Sequence, residues 1–248
     1  IPEVPEDLFM NGLTELIKVD SDWVPRGENQ SLYLRPFLFS SSEFVAARPS
    51  EEYTFAIVTS PVGELYSKAV KVKVEQSFTR AASGGVGYAK AAGNYGGSFL
   101  ATHNAVKEGF NQVLWTDHAE HNYLEEAGTM NVAFVLNNKL VTPILSDRIL
   151  AGITRDSILT LAREWRITIE ERRIKVDELI TALKGGSLNE AFGMGTAAVV
   201  SQINGIGFND EIYSVPIPKN GIAMRMKEAL SAIRYGESED KFNWMHHI

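Results

Sequence analysis

The 248-residue sequence contains no cysteine. Disulfides, thiolate nucleophiles, cysteine zinc sites and thiolate-held iron–sulfur clusters are therefore excluded from its chemistry. It also lacks any run of about twenty apolar residues, the length that spans a bilayer as a helix, and any stretch rich in Lys and Arg. With 24 Lys plus Arg against 31 Asp plus Glu, the net charge of −7 opposes phosphate backbones and anionic lipid, which are bound through clustered positive charge. Nucleic acid and membrane are not expected partners. A soluble chain is expected, and a reducing, cytoplasmic setting fits the missing thiols. The N-terminus, IPEVPED, has neither the basic nor the apolar segment of a secretory signal. It starts without Met, as the interior of a longer protein would.

Hydrophobic residues at 44 % and charged residues at 22 % place the chain among globular proteins of one large or two modest domains. Proline divides it. Pro2, Pro5, Pro25, Pro36, Pro49 and Pro61 account for six of the nine, and none lies between Val62 and Thr142. A domain boundary is expected there: 1–62 as a small unit, 63–68 as a linker and 69–248 as a large unit.

Phe9, Leu13, Leu16 and Ile17 recur at helical spacing and predict a helix from Glu6 to Val19. Ser31–Phe39 alternates Leu32, Leu34, Pro36 and Leu38 with Tyr33, Arg35, Phe37 and Phe39, the period of a strand, with Pro36 pointing to an edge or an end. Tyr53–Ser60 is a second strand, turned by Pro61-Val62-Gly63. Further strands are expected at Ala69–Glu75, Gln112–Thr116, Ile167–Ile174 and Ala197–Ile203. Met130–Leu136 and Leu140–Thr142 form a hairpin around Asn137-Asn138. Helices are expected around Phe99–Phe110, from Thr154 (as N-cap) to Trp165, from a cap at Asp177 to Gly185-Gly186, and over Ile222–Tyr235 with Gly236 as stop. Strands outnumber helices and hairpins are frequent, which favours α+β or mixed α/β.

Six glycines crowd Gly84–Gly97 around one lysine, Lys90, and Tyr95. The spacing fits neither a Walker loop nor a dinucleotide fingerprint; a structural turn and a ligand loop both account for it. Flanked by Tyr88-Ala89 and Ala91-Ala92, Lys90 has little local help to stay hydrated. Partial burial would favour its neutral, nucleophilic form and suit a Schiff base; the alternative is a surface lysine on a mobile loop. His118 and His121 are expected in a solvated turn, and Trp165, Met224 and Met226 in the core. No Gly-x-Ser-x-Gly elbow supports a hydrolase.

The segments KAAGNYGGS, EEAGTMNVAF, LAGITR and FGMGTAAVV, with SLYLRP before them and IRYG after, resemble the branched-chain amino-acid aminotransferases. These are fold-type IV enzymes that use pyridoxal 5′-phosphate. The resemblance covers essentially the whole chain and implies a partial small α+β domain followed by a large domain with a barrel-like mixed sheet. It implies Lys90 as the Schiff-base and proton-transfer residue, Tyr95 on the ring oxygen and Glu126 on the pyridine nitrogen. Ile153, Thr154 and Thr196 would hold the phosphate. The Thr196 and Ala197 amides would hold the substrate carboxylate, and Tyr33 and Arg35 the side chain, whether branched aliphatic or the γ-carboxylate of glutamate. Glu125 would face away. A homodimer is implied too. The expected activity is transfer of the amino group of leucine, isoleucine or valine to 2-oxoglutarate. A D-amino-acid aminotransferase, an aminodeoxychorismate lyase or a truncated non-catalytic chain are the alternatives. The front of the small domain, with the arginine that grips the phosphate, is expected to be missing. Ala198 and Ser201 stand where mammalian relatives carry a redox cysteine pair.

Overall fold

The computed structural model describes residues 1–27, 30–63 and 68–248; most of the linker expected over 63–68 lies outside them. The chain divides into two compact units, Ile1–Leu65 with His246–Ile248, and Tyr66–Met245.

In the first unit the apolar stripe of Phe9, Leu13, Leu16 and Ile17 forms helix α1 (Glu6–Val19), and a single 3-10 turn follows at Ser21–Trp23. Strands β1 (Ser31–Ser40) and β2 (Tyr53–Val62) pair antiparallel without a slip, from Ser31 opposite Val62 to Ser40 opposite Tyr53. The second strand runs through Pro61 and Val62, where a turn was expected. A two-stranded ribbon leaves each strand an open edge, which tolerates residues that lack an N–H. Helix and ribbon meet through the Phe9 and Phe55 rings, 5.7 Å apart, and the Thr59 hydroxyl donates to Asp20 Oδ2 at 2.5 Å. No described side chain of residues 1–63 is fully buried, so this unit has little hydrophobic stabilisation of its own.

The second unit runs β3 (Val70–Val74), α2 (Ala92–Gly96), α3 (Phe99–Lys107), β4 (Gln112–Thr116), β5 (Leu124–Ala127), β6 (Met130–Leu136), β7 (Lys139–Thr142), α4 (Ile153–Glu164), β8 (Ile169–Glu171), α5 (Val176–Lys184), β9 (Leu188–Gly195), β10 (Val199–Phe208), β11 (Glu211–Ser214) and α6 (Ile222–Arg234). Its strands form one mixed sheet in the order β11-β10-β3-β4-β5-β6-β7-β8, and β9 pairs with both β10 and β6. That double pairing closes β3, β4, β5, β6, β9 and β10 into a ring, the barrel-like sheet expected of an α+β fold. β6 is buried along its whole length because it serves two cores. Val132, Phe134 and Leu136 join a cluster with α5, whereas Ala133 and Val135 join one with α4 and α6. The alternation follows from the two-residue period of a strand. Met226 is fully buried and Trp165 packs against the same cluster, as expected of core residues.

Several expectations are corrected. Thr154 is not the N-cap of α4, since the helix begins at Ile153 and Gly152 takes the cap position. Asp177 lies inside the first turn of α5, after Lys175. Only Ile169–Glu171 of the strand expected over Ile167–Ile174 forms, because its pairing partner offers three residues, Leu140–Thr142. Beyond it the chain leaves the sheet, and Arg172 pairs with Glu170 and Glu178. The strand expected from Ala197 starts at Val199. Strands β9 and β11 and the short helix α2 were not foreseen. Among the described residues no helix is long and apolar enough to cross a membrane.

Candidate functional site

The glycine-dense loop is turned and tied by side chains at both ends. Beyond β3, one carboxylate oxygen of the buried Glu75 accepts the amides of Gln76, Ser77 and Phe78 at 2.8–3.1 Å. Further on, the Asn94 amide donates to the carbonyls of Val86 and Ala89 at 2.8 and 2.9 Å. Gly87 fits where no other residue does: a Cβ there would lie 2.5 Å from Ala81 Cβ and 2.7 Å from Arg148 Cα. Lys90 follows this packed stretch directly. Its Nζ stands 6.0 Å from the centre of the Tyr95 ring, and it has no ion-pair partner among the described residues. Lys90 is exposed, as the surface-lysine alternative has it. The loop packs through Gly87 and Asn94, and the flanking alanines are too small to wall the lysine in.

Glu126 is the opposite case, 4 % exposed on β5. Its Oε1 accepts the Leu150 amide at 3.0 Å and the Asn131 side-chain amide at 3.1 Å, and Arg80 Nε lies 2.9 Å from Oε2. Burial pushes its carboxyl up to about 7, against the pull of Arg80, the Leu150 amide and Lys90, which favour the anion; Glu125 adds a smaller upward push. Neighbouring residues of a strand point to opposite faces, and Glu125 accordingly meets a different partner. Its Oε1 takes the Arg148 guanidinium at 2.5 Å, and it lines a cleft of about 360 Å³ with Ser83, Asp117, His118, Tyr123 and Arg148. Burial raises the Glu125 carboxyl as well, opposed by Arg148.

Asn131 lies opposite Glu126 on β6, and Met194 of β9 lies opposite Asn131. Besides Glu126, the Asn131 amide donates to the Leu150 carbonyl at 2.8 Å, and a Cβ on Gly152 would meet its Oδ1 at 2.2 Å. One asparagine therefore fixes the Glu126 carboxylate and the turn that launches α4. That helix has no side-chain cap, so its first amides, those of Ile153 and Thr154 included, have no acceptor within the helix. Thr154 is buried and Ile153 is 80 % exposed. Thr196 and Ala197 are exposed in the turn between β9 and β10, which ends at Val199 with φ of +54°. A β-branched residue in that region is a strained one.

Within the second unit Lys90 thus stands beside Tyr95 and within electrostatic reach of Glu126, and Ile153 is tied to Glu126 through the Leu150–Gly152 turn. Tyr33 and Arg35 belong to the first unit, on one face of β1, where the Arg35 guanidinium stands 5.0 Å from the centre of the Tyr33 ring. His118 and His121 are half-buried rather than solvated. Asp117 folds their loop by accepting the Glu120, Asn122 and Tyr123 amides, and His121 Nδ1 lies 2.8 Å from the Thr116 hydroxyl. Burial raises the Asp117 carboxyl, but the three amides outweigh it and leave it below its usual range. Arg80 and Asn131 escaped the sequence reading. Arg80 opens the glycine-dense segment with no acidic neighbour, so nothing local signals its partner.

The arrangement fits a phosphorylated pyridine cofactor on two observations. A carboxylate offers about four acceptor positions; two are filled on Oε1 and one faces Arg80 on Oε2, which leaves one position on Oε2 for a ring N–H. The uncapped start of α4 offers amides and a positive dipole end to a phosphate.

Residues 1–206 match the model of the amino-transferase class IV family. A probable branched-chain-amino-acid aminotransferase of Staphylococcus epidermidis is 44 % identical over 249 residues, covering 98 % of this chain and 70 % of the relative. The branched-chain-amino-acid aminotransferase 2 of Bacillus subtilis is 43 % identical over 248 residues, 98 % of this chain and 68 % of its own. Among solved structures, the Escherichia coli branched-chain amino acid aminotransferase superposes with a TM-score of 0.81 at 25 % identity, covering 100 % of this chain and 78 % of that one. The branched-chain aminotransferase of the thermophilic archaeon Thermoproteus uzoniensis, solved with norvaline, gives 0.81 at 25 % identity, over 99 % and 76 %. A further branched-chain amino acid aminotransferase, solved with pyridoxamine 5′-phosphate, gives 0.80 at 25 % identity, over 100 % and 76 %.

Proposed function

The chain belongs to the class IV amino-transferase family, and from that premise we propose that it is a branched-chain amino-acid transaminase that uses pyridoxal 5′-phosphate. Its substrates are L-leucine, L-isoleucine or L-valine with 2-oxoglutarate, giving branched 2-oxo acids and L-glutamate. The cofactor, when bound, supplies an electron sink for the pair left on the substrate Cα as its proton departs. The observation that carries the reading is the pairing of an accessible lysine, Lys90, with a buried carboxylate that keeps one acceptor position open, Glu126.

Lys90 Nζ is the amine that would hold the cofactor, and the same nitrogen would serve as the base for the substrate Cα proton. Glu126 would keep the ring nitrogen protonated, and the Tyr95 hydroxyl would donate to the ring oxygen. The first amides of α4, at Ile153 and Thr154, bind phosphate together with Thr196. The Thr196 and Ala197 amides orient the substrate carboxylate. Tyr33 offers an apolar surface to a branched side chain, and the Arg35 fork binds the γ-carboxylate of the second substrate bidentately. Two half-reactions, one with each kind of side chain, require both.

The same reading expects a cytoplasmic homodimer. Exposed apolar side chains support association: Val86, Tyr88, Phe99, Leu100 and Ile153 are each more than half exposed, and exposed apolar surface is what an interface covers. The domain assignment goes with it, 1–62 as part of a small domain and 69–248 as the cofactor-binding domain. Rates on L-leucine, D-alanine and aminodeoxychorismate test the activity. Turnover of leucine with 2-oxoglutarate is expected; failure on leucine with good rates on D-alanine would overturn it.

A further inference from the structure

We propose that Arg80 is a positioning residue that keeps the Glu126 carboxylate charged and fastens the Lys90 loop to it. This deepens the reading above and rests on it. Both side chains are buried, Arg80 at 7 % and Glu126 at 5 % exposure, with Nε 2.9 Å from Oε2. The Nε–H is not aligned on Oε2 as a hydrogen bond and finds no other acceptor among the described residues. The attraction is therefore chiefly one of charge.

The far end of the same side chain does something else. Its Nη2 donates to the Gly87 carbonyl at 3.2 Å and, at close range, to the Arg148 carbonyl. One guanidinium thus joins three segments: β5 through Glu126, the loop that carries Lys90 three residues after Gly87, and the stretch that leads through Leu150 into α4. A buried ion pair adds little net stability, because desolvation offsets the attraction. A cation set beside a buried acid does change which form of that acid is populated.

The groups that face Glu126 can be named. Arg80 and Lys90 favour its anion and Glu125 opposes it. Glu125 is itself paired with Arg148 and raised slightly by Asp117. Lys90 pulls on Glu126 less than Arg80 does, and covalent attachment of a cofactor would engage its nitrogen. Arg80 is then the cation that remains to hold Glu126 ionised, and an ionised Glu126 is what keeps a ring nitrogen protonated.

A staple that only bonded carbonyls would serve as well without charge. Charge and bonding separate in two variants: Arg80→Lys keeps the cation with fewer donors, and Arg80→Gln keeps donors without the cation. The readout is the carboxyl ¹³C titration of Glu126 in the full-length, cofactor-free protein, with Glu126→Gln identifying the signal. Arg80→Gln is expected to raise the Glu126 midpoint by roughly 1 to 3 units, while Arg80→Lys stays near the wild type. Equal midpoints in wild type and Arg80→Gln would overturn the proposal, as would equal displacement in both variants. If Arg80→Gln does not fold, Arg80→Lys decides alone, since a midpoint raised by that margin with the charge retained contradicts the role. The titration needs no cofactor. Failure of wild-type protein to develop a cofactor absorbance band would instead count against the transaminase reading.

Discussion

Glu126 lies on β5 and Leu150 on the turn before α4, yet the Leu150 amide donates to Glu126 Oε1 at 3.0 Å. The residue proposed to meet a ring nitrogen and the helix start proposed to meet a phosphate are thereby joined by one hydrogen bond, with Asn131 bracing both sides of it. The spacing between Glu126 and the start of α4 is thus set by bonded contacts, not by flexible side chains.

Glu126→Gln removes the charge and keeps the shape. Turnover of L-leucine is expected to fall about 10²- to 10³-fold, the scale seen when one pre-organised electrostatic contact is lost. Comparing kcat for wild type, Glu126→Asp and Glu126→Gln checks this. A neutral variant as fast as the wild type would remove Glu126 from the chemistry.

The stability of the cofactor-free protein should depend on Glu126 in a defined direction. Burial raises its carboxyl from 4.5 to about 7, so the folded state binds more protons than the unfolded chain between those values. Stability therefore falls as pH rises from about 4.5 to 7, by an amount on the order of 3 kcal/mol once ionisation is complete. Urea unfolding at pH 5 and pH 8 measures the difference. Glu126→Gln should flatten that part of the profile, and an unchanged slope would assign it to other groups.

What could be read from the sequence followed periodicity. The bounds of α1 and of β4 were legible to the residue, because Phe9, Leu13 and Ile17 or the apolar run QVLWT leave one solution each. β9, LNEAFGMG, was not legible. It carries Asn189, Glu190 and two glycines, and it is a strand because β6 and β10 flank it on both sides. The site divides in the same way. Lys90, Tyr95 and Glu126 stand in recognisable motifs, whereas Arg80 and Asn131 matter through partners far along the chain. Burial and exposure of Lys90 both stayed open in the sequence, because the packing of its loop rests on Gly87 against Arg148, a residue distant along the chain.

Gly87→Ala tests that packing. The added Cβ would meet backbone, Arg148 Cα at 2.7 Å and Arg148 O at 2.8 Å, and backbone cannot step aside as a flexible side chain can. The loop should be displaced at a cost of about 1 to 3 kcal/mol, with weaker cofactor binding in an absorbance titration. Wild-type affinity in Gly87→Ala would show that the loop tolerates the displacement.

Glu190 gives a prediction independent of the site. Buried in β9, it accepts the amides of Ile222 and Ala223 at 2.7 and 3.0 Å and so holds the start of α6. Gly221 sits against it: a Cβ there would lie 2.3 Å from Glu190 Oε2. Glu190→Ala strands two amides and should cost about 1 to 3 kcal/mol. Gly221→Ala should lower the Tm in the same direction, and thermal unfolding of both variants checks it.

Amino-group transfer from ¹⁵N-L-leucine to 2-oxoglutarate in the full-length protein, followed as ¹⁵N-glutamate, joins substrate, direction and lysine in one measurement. Labelled glutamate should form with the wild type and be absent with Lys90→Ala. Labelled glutamate formed equally well by Lys90→Ala, or none from wild-type protein saturated with pyridoxal 5′-phosphate, would contradict the assignment.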